Sequence, residues 1–395
     1  MKKITDILKN KVLILDGATG TELSRRGMPA GVCPELWALK NPSIIKAVHA
    51  DYIKAGSDIV YTCTFGANKL KLKGYGAVNV KDVNRRLALL ARNAIGSKAI
   101  LAGDMSSTGH FVKPFGPLEF EEAVDIFKEQ ARGLLSGGVD IFVIETMMDI
   151  QEARAALIAV KEVTDKFVMV TMTYEKDGRT INGTDPLTAL ITLQSLGADA
   201  VGANCSAGPE GMLNIIKTIS PYAKVPLVAK PNAGMPKLKD AKTVFEMGPA
   251  EFSSLAPKFI FSGVSLIGGC CGTTPEHIRA LKNKILRLKP VLPALGSLSA
   301  LTSSRKTVFI KDDKSVLIIG ERINPTGKKQ MQQEFLNGNF SSCRALALEQ
   351  EQKGALVLDV NVGVPRIDEK SALVKAAQLL SVTSSLPLSL DSSEP

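Results

Sequence analysis

Eight times between residue 12 and about residue 288, a short apolar run gives way to a segment of helical periodicity. No other feature of the chain narrows the fold as much. The runs span residues 12–18, 58–64, 99–104, 140–146, 167–174, 200–205, 225–232 and 264–270. Each is almost continuously apolar, the pattern of a parallel strand covered on both faces. Amphipathic stretches lie between them, among them 42–55, 81–95, 119–136, 151–163 and 275–288. Eight strand–helix units in some 280 residues match a (β/α)8 TIM barrel in both size and count. A doubly wound sheet is the alternative, but it usually shows a Gly-x-Gly-x-x-Gly turn after its first strand. The first turn here is Asp16-Gly-Ala-Thr-Gly-Thr21, with a different glycine spacing. The barrel is the expected architecture of residues 1–288.

Beyond the barrel the composition changes. Residues 289–304 are rich in Pro, Leu, Ser and Gly and lack acids, so 289–314 reads as a linker. Strand-like runs resume at 315–320, 355–361 and 387–391, with helical segments expected at 328–353 and 368–381. Residues 315–395 therefore read as the opening of a second, truncated β/α barrel. Three parallel strands with two helices leave a sheet edge uncovered. The expectation is a fragment of a longer polypeptide, or a chain whose partner completes the sheet.

The chain carries 49 Lys and Arg against 39 Asp and Glu, a net charge of +10. Nucleic-acid binding would gather that charge into a patch with aromatics. The basic residues are instead scattered and aromatics are only 5%, so no nucleic-acid partner is expected. No apolar run approaches the roughly 20 residues of a membrane span, and the first ten residues lack a signal-peptide core. A cytoplasmic protein without a membrane partner is the expectation. In that setting the six cysteines would not form a disulfide framework. With only three histidines, metal chemistry would have to use thiols.

Barrel enzymes place their chemistry at the carboxyl ends of the strands. Those ends read Asp16, Thr64, Asp104, Glu145, Thr173, Cys205, Asn232 and the Cys270-Cys271 pair. A vicinal pair can be a strained disulfide, and buried cysteines often behave as small hydrophobes. Cys33, Cys63 and Cys343, each alone in its segment, fit the latter description. Cys205, Cys270 and Cys271 differ, because glycines flank the pair and all three stand at strand ends. Three thiolates make a zinc site with one position open, which Asn232 is placed to occupy weakly at rest. Such a zinc is a poor Lewis acid for water but can hold a substrate thiol as a nucleophilic thiolate. Alkyl transfer to a thiol is the chemistry this favours.

Seven segments carry a family resemblance: LDGATGTEL (15–23), TFGAN (64–68), IETMMD (144–149), NGTDP (182–186), NCSAGPEG (204–211), KPNAGMP (230–236) and GGCCGTTPEH (268–277). Together they resemble the homocysteine-binding methyltransferase domain, a family that includes cobalamin-dependent methionine synthase and betaine–homocysteine methyltransferase. The resemblance implies catalytic zinc on Cys205, Cys270 and Cys271. It also implies that Asp16 and Glu145 hold the substrate ammonium, and that backbone amides near Gly17 and Ala18 take its carboxylate. Thr64 joins Asn232 among the substrate-binding candidates, although Thr64, Asp104, Thr173 and Asp185 fit equally well as caps or rim hydrogen bonds. Two departures stand out. Cys63 replaces a more usual asparagine, and Gly103-Asp-Met-Ser-Ser-Thr-Gly109 replaces a more usual GDIGPTG.

In the C-terminal part, GERINPTG (320–327), LDVN (358–361) and LDSS (390–393) resemble the pterin-binding barrel that carries 5-methyltetrahydrofolate. By that analogy Glu321, Asn324, Asp359, Asn361 and Asp391 face the pterin. No Asp-x-His-x-x-Gly corrinoid motif occurs in the chain, so methylcobalamin would be presented by another corrinoid-binding module or protein. The function implied is homocysteine S-methylation from methylcobalamin, with the methyl group coming ultimately from 5-methyltetrahydrofolate. A methyltransferase using betaine or S-methylmethionine, and a non-catalytic zinc–thiolate protein, are the alternatives.

Overall fold

The computed structural model describes residues 4–76, 79–239, 242–293, 296–310 and 316–394. Eight parallel strands form the main sheet: Leu13–Ile14, Ile59–Tyr61, Ile100–Met105, Ile141–Met147, Val168–Met172, Ala200–Asn204, Leu227–Lys230 and Val264–Ile267. Each pairs with its sequence neighbour from the second strand to the eighth, and the eighth pairs with the first. A single parallel bridge, Leu15 to Ile59, joins the first strand to the second and nearly closes the (β/α)8 barrel.

Alternation along the strands divides the core in two. Leu13 and Leu15, Ile59, Ala102, Ile141 and Val143, Met169, Ala200, Val228 and Leu266 fill the interior. Their neighbours in sequence, such as Ile14, Val60, Leu101, Phe142 and Ile144, pack outward against the helices. The helix Ile4–Leu8 buries Ile4 and Leu8 in the interior cluster and so plugs one end. Because side chains alternate with period two, the next inward positions toward the carboxyl ends are Tyr61, Asp104, Glu145, Asn204, Lys230 and Cys270. A filled barrel therefore ends in a layer of polar groups and one thiol.

The expected helices at 42–55, 81–95, 119–136 and 151–163 appear as Pro42–Ala55, Val80–Ile95, Phe120–Ser136 and Ile150–Val163. Apart from the third and fourth, the strands are shorter than expected, because their last residues turn away to build the rim. Residues 289–314, read as a linker, contain an antiparallel hairpin of Ala300–Thr302 with Thr307–Phe309. It is tied to the barrel by Thr192 Oγ1 to Thr302 Oγ1 at 2.9 Å and by Phe309 stacked on Tyr222 at 5.2 Å. Arg305 Nη2 donates to the carbonyls of Ser381 and Ser384, at 3.0 and 2.8 Å, in the C-terminal part. Ala-Leu-Thr302 and Thr307-Val-Phe309 suit short strands, while Ser303-Ser-Arg-Lys306 between them suits a turn.

Three more parallel strands follow: Ile319–Ile323, Val357–Asn361 and Leu388–Asp391. Part of the run expected at 315–320 falls on Ser315, outside the described residues. The single helix expected over 328–353 is two helices, Lys329–Leu336 and Ser341–Gln352. Gly338 between them has φ of +69°, a left-handed turn that stops the first helix.

Candidate active site

The rim loop after the sixth strand begins with two consecutive non-glycine residues in the left-handed region, Cys205 at φ 61° and Ser206 at φ 52°. Such residues cost about 1–3 kcal/mol each and persist where the surrounding structure holds them. The turn carries Cys205 toward the loop after the eighth strand. In that loop Gly272, at φ +79°, makes the turn after the pair. Gly268 and Gly269 are needed for close approach instead: a Cβ on Gly268 would lie 2.7 Å from the Asp16 carbonyl, and one on Gly269 2.5 Å from Thr273 Oγ1. Of the glycines flanking the pair, Gly272 thus carries the left-handed turn, while Gly268 and Gly269 serve close packing.

Cys205 Sγ lies 3.8 Å from Cys271 Sγ, and all three thiol sulfurs fall within 4.8 Å of one another. Tetrahedral zinc with Zn–S bonds of about 2.3 Å spaces its sulfurs about 3.8 Å apart, so this donor set fits the metal. S–H groups of Cys270 and Cys271 directed at Cys205 hold its thiol well below the ordinary range, while Cys205 pushes the other two up. Of the three thiols, Cys205 is thus the one whose ionised form its neighbours favour. Asn232 is held between the two loops: its amide donates to Ala207 O at 2.9 Å, Cys270 N donates to Pro231 O at 2.8 Å, and Ala233 N to Cys271 O at 2.9 Å. Its buried side-chain Oδ1 has no hydrogen-bond partner.

Asn204 was not singled out by sequence reasoning, yet it orients the triad. Its Nδ2 donates to Cys270 Sγ at 3.7 Å and to Thr146 Oγ1 at 2.7 Å. Its Oδ1 accepts from Thr146 N and Thr171 Oγ1, both at 2.8 Å. Fully used in this way, the amide has one rotamer and fixes the direction from which Cys270 is approached.

A cavity of about 250 Å³ opens beside the thiols, lined on the other side by Tyr61, Asp104, Glu145 and Lys230. Drug-sized ligands fill roughly 300–1,000 Å³, so this is the scale of a single amino acid. Lys230 is the other residue that sequence reasoning missed. Only 3% exposed, its Nζ lies 3.3 Å from Asp16 Oδ1, 3.6 Å from Glu145 Oε2 and 3.6 Å from the centre of the Tyr61 ring. Burial alone would lower its pKa, but Glu145, Tyr61 and Asp16 hold it well above the ordinary lysine range. Burial likewise pushes Asp16, Asp104 and Glu145 up, with the pull of Lys230 opposing.

The other expected residues are placed unevenly. Asp16 accepts from Tyr61 N at 2.8 Å as well as from Lys230, and it lies behind the cavity wall. Gly17 and Ala18 border the cavity, but the Ala18 amide already donates to Thr273 Oγ1 at 3.1 Å. Thr64 is turned away: its hydroxyl donates to Asp104 O at 2.6 Å and bridges the second and third strands. In the C-terminal sheet Asn361 Nδ2 donates to Asp391 Oδ2 at 2.9 Å, and strand register sets these residues side by side. Glu321 lies exposed within its strand, Asn324 caps the turn at Thr326 N, and Asp359 is half-buried.

The chain is thus a nearly closed (β/α)8 barrel with three clustered thiols and an acid-lined cavity at its carboxyl rim. A sequence model described as homocysteine S-methyltransferase matches residues 13–285. The chain belongs to the homocysteine S-methyltransferase family. It is 31% identical over 412 residues to methionine synthase of Mycobacterium tuberculosis and 30% identical over 417 residues to that of Mycobacterium leprae. Each alignment covers 99% of this chain but 34% of the relative, so the chain spans about a third of the length of these proteins. Among solved structures, the metallated form of the homocysteine methyltransferase MmuM of Escherichia coli matches with a TM-score of 0.60. At 24% identity, covering 71% of this chain and 99% of MmuM, that likeness shows a shared fold. Among the described residues, no helix is long and apolar enough to cross a membrane.

Proposed function

We propose that residues 1–288 form a zinc-dependent homocysteine S-methyltransferase barrel. In this reading Cys205, Cys270 and Cys271 would hold the zinc, with Asn232 the candidate for its fourth position before substrate binds. Zinc so bound keeps a substrate thiol deprotonated and nucleophilic at neutral pH. The rest of the site positions the amino acid. Glu145 takes the ammonium, with the Asp16–Lys230 pair forming the charged floor behind it. The Gly17–Ala18 turn faces the carboxylate, and the narrow cavity excludes water from the thiolate. The homocysteine thiolate would form its S–CH3 bond with the methyl group of methylcobalamin as the Co–C bond breaks, the bonding pair staying on cobalt so that cob(I)alamin leaves and methionine results, with the corrinoid presented by another module or protein. The observation that carries this reading is the spacing of three thiols beside a cavity edged with carboxylates.

Residues 289–314 then connect this barrel to 315–395, the opening part of a pterin-binding barrel. There Glu321, Asn324, Asp359, Asn361 and Asp391 face 5-methyltetrahydrofolate, the ultimate methyl source. Carboxylate and amide groups suit the alternating donors and acceptors of a pterin edge.

The test has two arms. Metal analysis of the chain purified under reducing conditions should give one zinc, lost in each of Cys205→Ala, Cys270→Ala and Cys271→Ala. Homocysteine methylation should proceed with free methylcobalamin but not with 5-methyltetrahydrofolate alone. Stoichiometric zinc in all three variants would refute the metal assignment. Turnover with betaine or S-methylmethionine but not with methylcobalamin would move the chain to another donor.

A further inference from the structure

After the seventh strand ends at Lys230, the chain makes an excursion before the helix Pro249–Ser254, carrying a small hairpin of Lys237–Lys239 with Lys242–Val244. The return leg of that excursion, 245–248, lies against the loop of the Cys270-Cys271 pair. A Cβ on Gly272 would lie 2.3 Å from Phe245 Cβ, and one on Gly234 would lie 3.2 Å from Met247 Cβ. Both crossings are therefore glycine. Backbone bonds tie the same places together: Ala233 N donates to Cys271 O at 2.9 Å, and Met247 N donates to Ala233 O at 3.3 Å.

One side chain closes this path on itself. His277, only 6% exposed, stands in the first turn of the helix Pro275–Ile285. Thr274 N donates to its Nδ1 at 3.2 Å, and its Nε2 lies 2.9 Å from Met247 O. An amide N–H only donates and a carbonyl only accepts, so these partners select the neutral ring with its hydrogen on Nε2. Burial favours the same neutral form. Phe252 meets the ring edge-on at 5.4 Å and limits its rotation. The helix cap uses Nδ1 alone, whereas the Nε2 bond goes to a segment 30 residues away. A circuit results, from Cys271 through Ala233, Met247, His277 and Thr274 and back along the chain to Cys271. Asn232, next to Ala233, is held by it.

We propose that His277 is a positioning residue for the thiol cluster: by latching Met247 to the helix that follows the cysteine pair, it holds Cys271 and Asn232 at the spacing a metal requires. This rests on the zinc reading above and deepens it with a residue that touches neither metal nor substrate. Without the latch, the Met247 carbonyl loses its imidazole donor. The 3.3 Å bond from Met247 N to Ala233 O is then the remaining tie of Met247 to the strip behind Cys271.

Two half-mimics of the imidazole test it in the full chain. His277→Asn keeps an acceptor near the Nδ1 position for Thr274 N but is too short for Met247 O. His277→Gln carries an amide N–H out to the Nε2 position and can still donate to Met247 O. Zinc affinity is read by chelator competition, and the Ala233 and Met247 amides of the metal-free chain by hydrogen–deuterium exchange. His277→Asn should weaken zinc binding about tenfold and speed both amides by a similar factor, while His277→Gln stays within about threefold of the parent on both measures. A residue that only caps its helix gives the reverse order. That order, or no change in either variant, overturns the latch. If His277→Asn does not fold, His277→Gln decides: parent-like values support the latch, and a tenfold loss of zinc affinity overturns it. If the parent chain binds no zinc, the zinc reading fails, and amide exchange alone decides the latch.

Discussion

Replacing Lys230 with methionine isolates the electrostatics of the rim, because methionine keeps much of the side-chain bulk and removes only the charge. The ammonium lies 3.3 Å from Asp16 and 3.6 Å from Glu145, with 3% exposure. At an effective dielectric near 20, each of those attractions is worth about 5 kcal/mol. Desolvating the ammonium offsets much of that sum, but once the cation is gone the carboxylates stay buried without compensation. Breaking such a buried pair costs about 3–5 kcal/mol. For a cooperative unit the size of the barrel, that is a fall in Tm of roughly 5–8 °C. The loss should depend on pH with a definite sign. The three nearby carboxyls already have folded pKa values above their ordinary ones, and removing the cation raises them further. An acid whose folded pKa is raised costs stability when ionised, so the deficit should be largest above pH 7 and shrink toward pH 5 as the carboxyls protonate. Thermal unfolding of parent and variant from pH 5 to 8 measures it. A deficit that is constant across that range, or largest at pH 5, would refute the charge argument and reduce Lys230 to a packing residue.

Three further outcomes follow from the same geometry. Asn204→Leu removes the amide that orients Cys270, and competition with a chromophoric chelator should show zinc affinity about 10- to 100-fold weaker. If the hydrogen bonds at Cys205 keep it ionised in the metal-free protein, zinc uptake near pH 7 should release about two protons; release of three, read with a pH indicator, would contradict the coupled thiols. Glu152, which accepts from Thr108 N and Oγ1, is pushed up by burial to about 7 from an ordinary 4.5, so its ionisation costs stability as pH rises through that window. Glu152→Gln should therefore be more stable than the parent at pH 8, by on the order of 2 kcal/mol, and show no such gain at pH 4.

The barrel was legible because strands covered on both faces leave continuous apolar runs, and the thiols because three cysteines stood at strand ends. Lys230 was missed for a physical reason. A lysine between an apolar run and a proline reads as the solvated end of a strand, and nothing local says that two carboxylates from other strands surround it. Strand parity was the available signal: Val228 points inward, and Lys230 two residues on must do the same. The same parity marks Asp104 after Ala102, which strand-end position alone could not separate from a cap. Thr64 shows the converse. It has a polar side chain at a strand end, but the parity that turns Tyr61 inward at 61 turns Thr64 away, and its hydroxyl is spent on the third strand. The hairpin at 300–309 escaped because its Ser, Thr and Leu composition suits a linker as well as a strand. The break at Gly338 left a clearer mark, since Asn337-Gly-Asn339 is a helix-stopping sequence within an otherwise periodic stretch.

The central claim is that the three rim thiols hold a zinc that receives the homocysteine sulfur. Zinc X-ray absorption on the loaded chain, recorded before and after adding homocysteine, tests it most directly. Three sulfur ligands and one lighter nitrogen or oxygen neighbour are expected at rest, changing to four sulfurs when homocysteine binds. A resting shell with fewer than three sulfurs, or a shell that homocysteine leaves unchanged at saturating concentration, would contradict it.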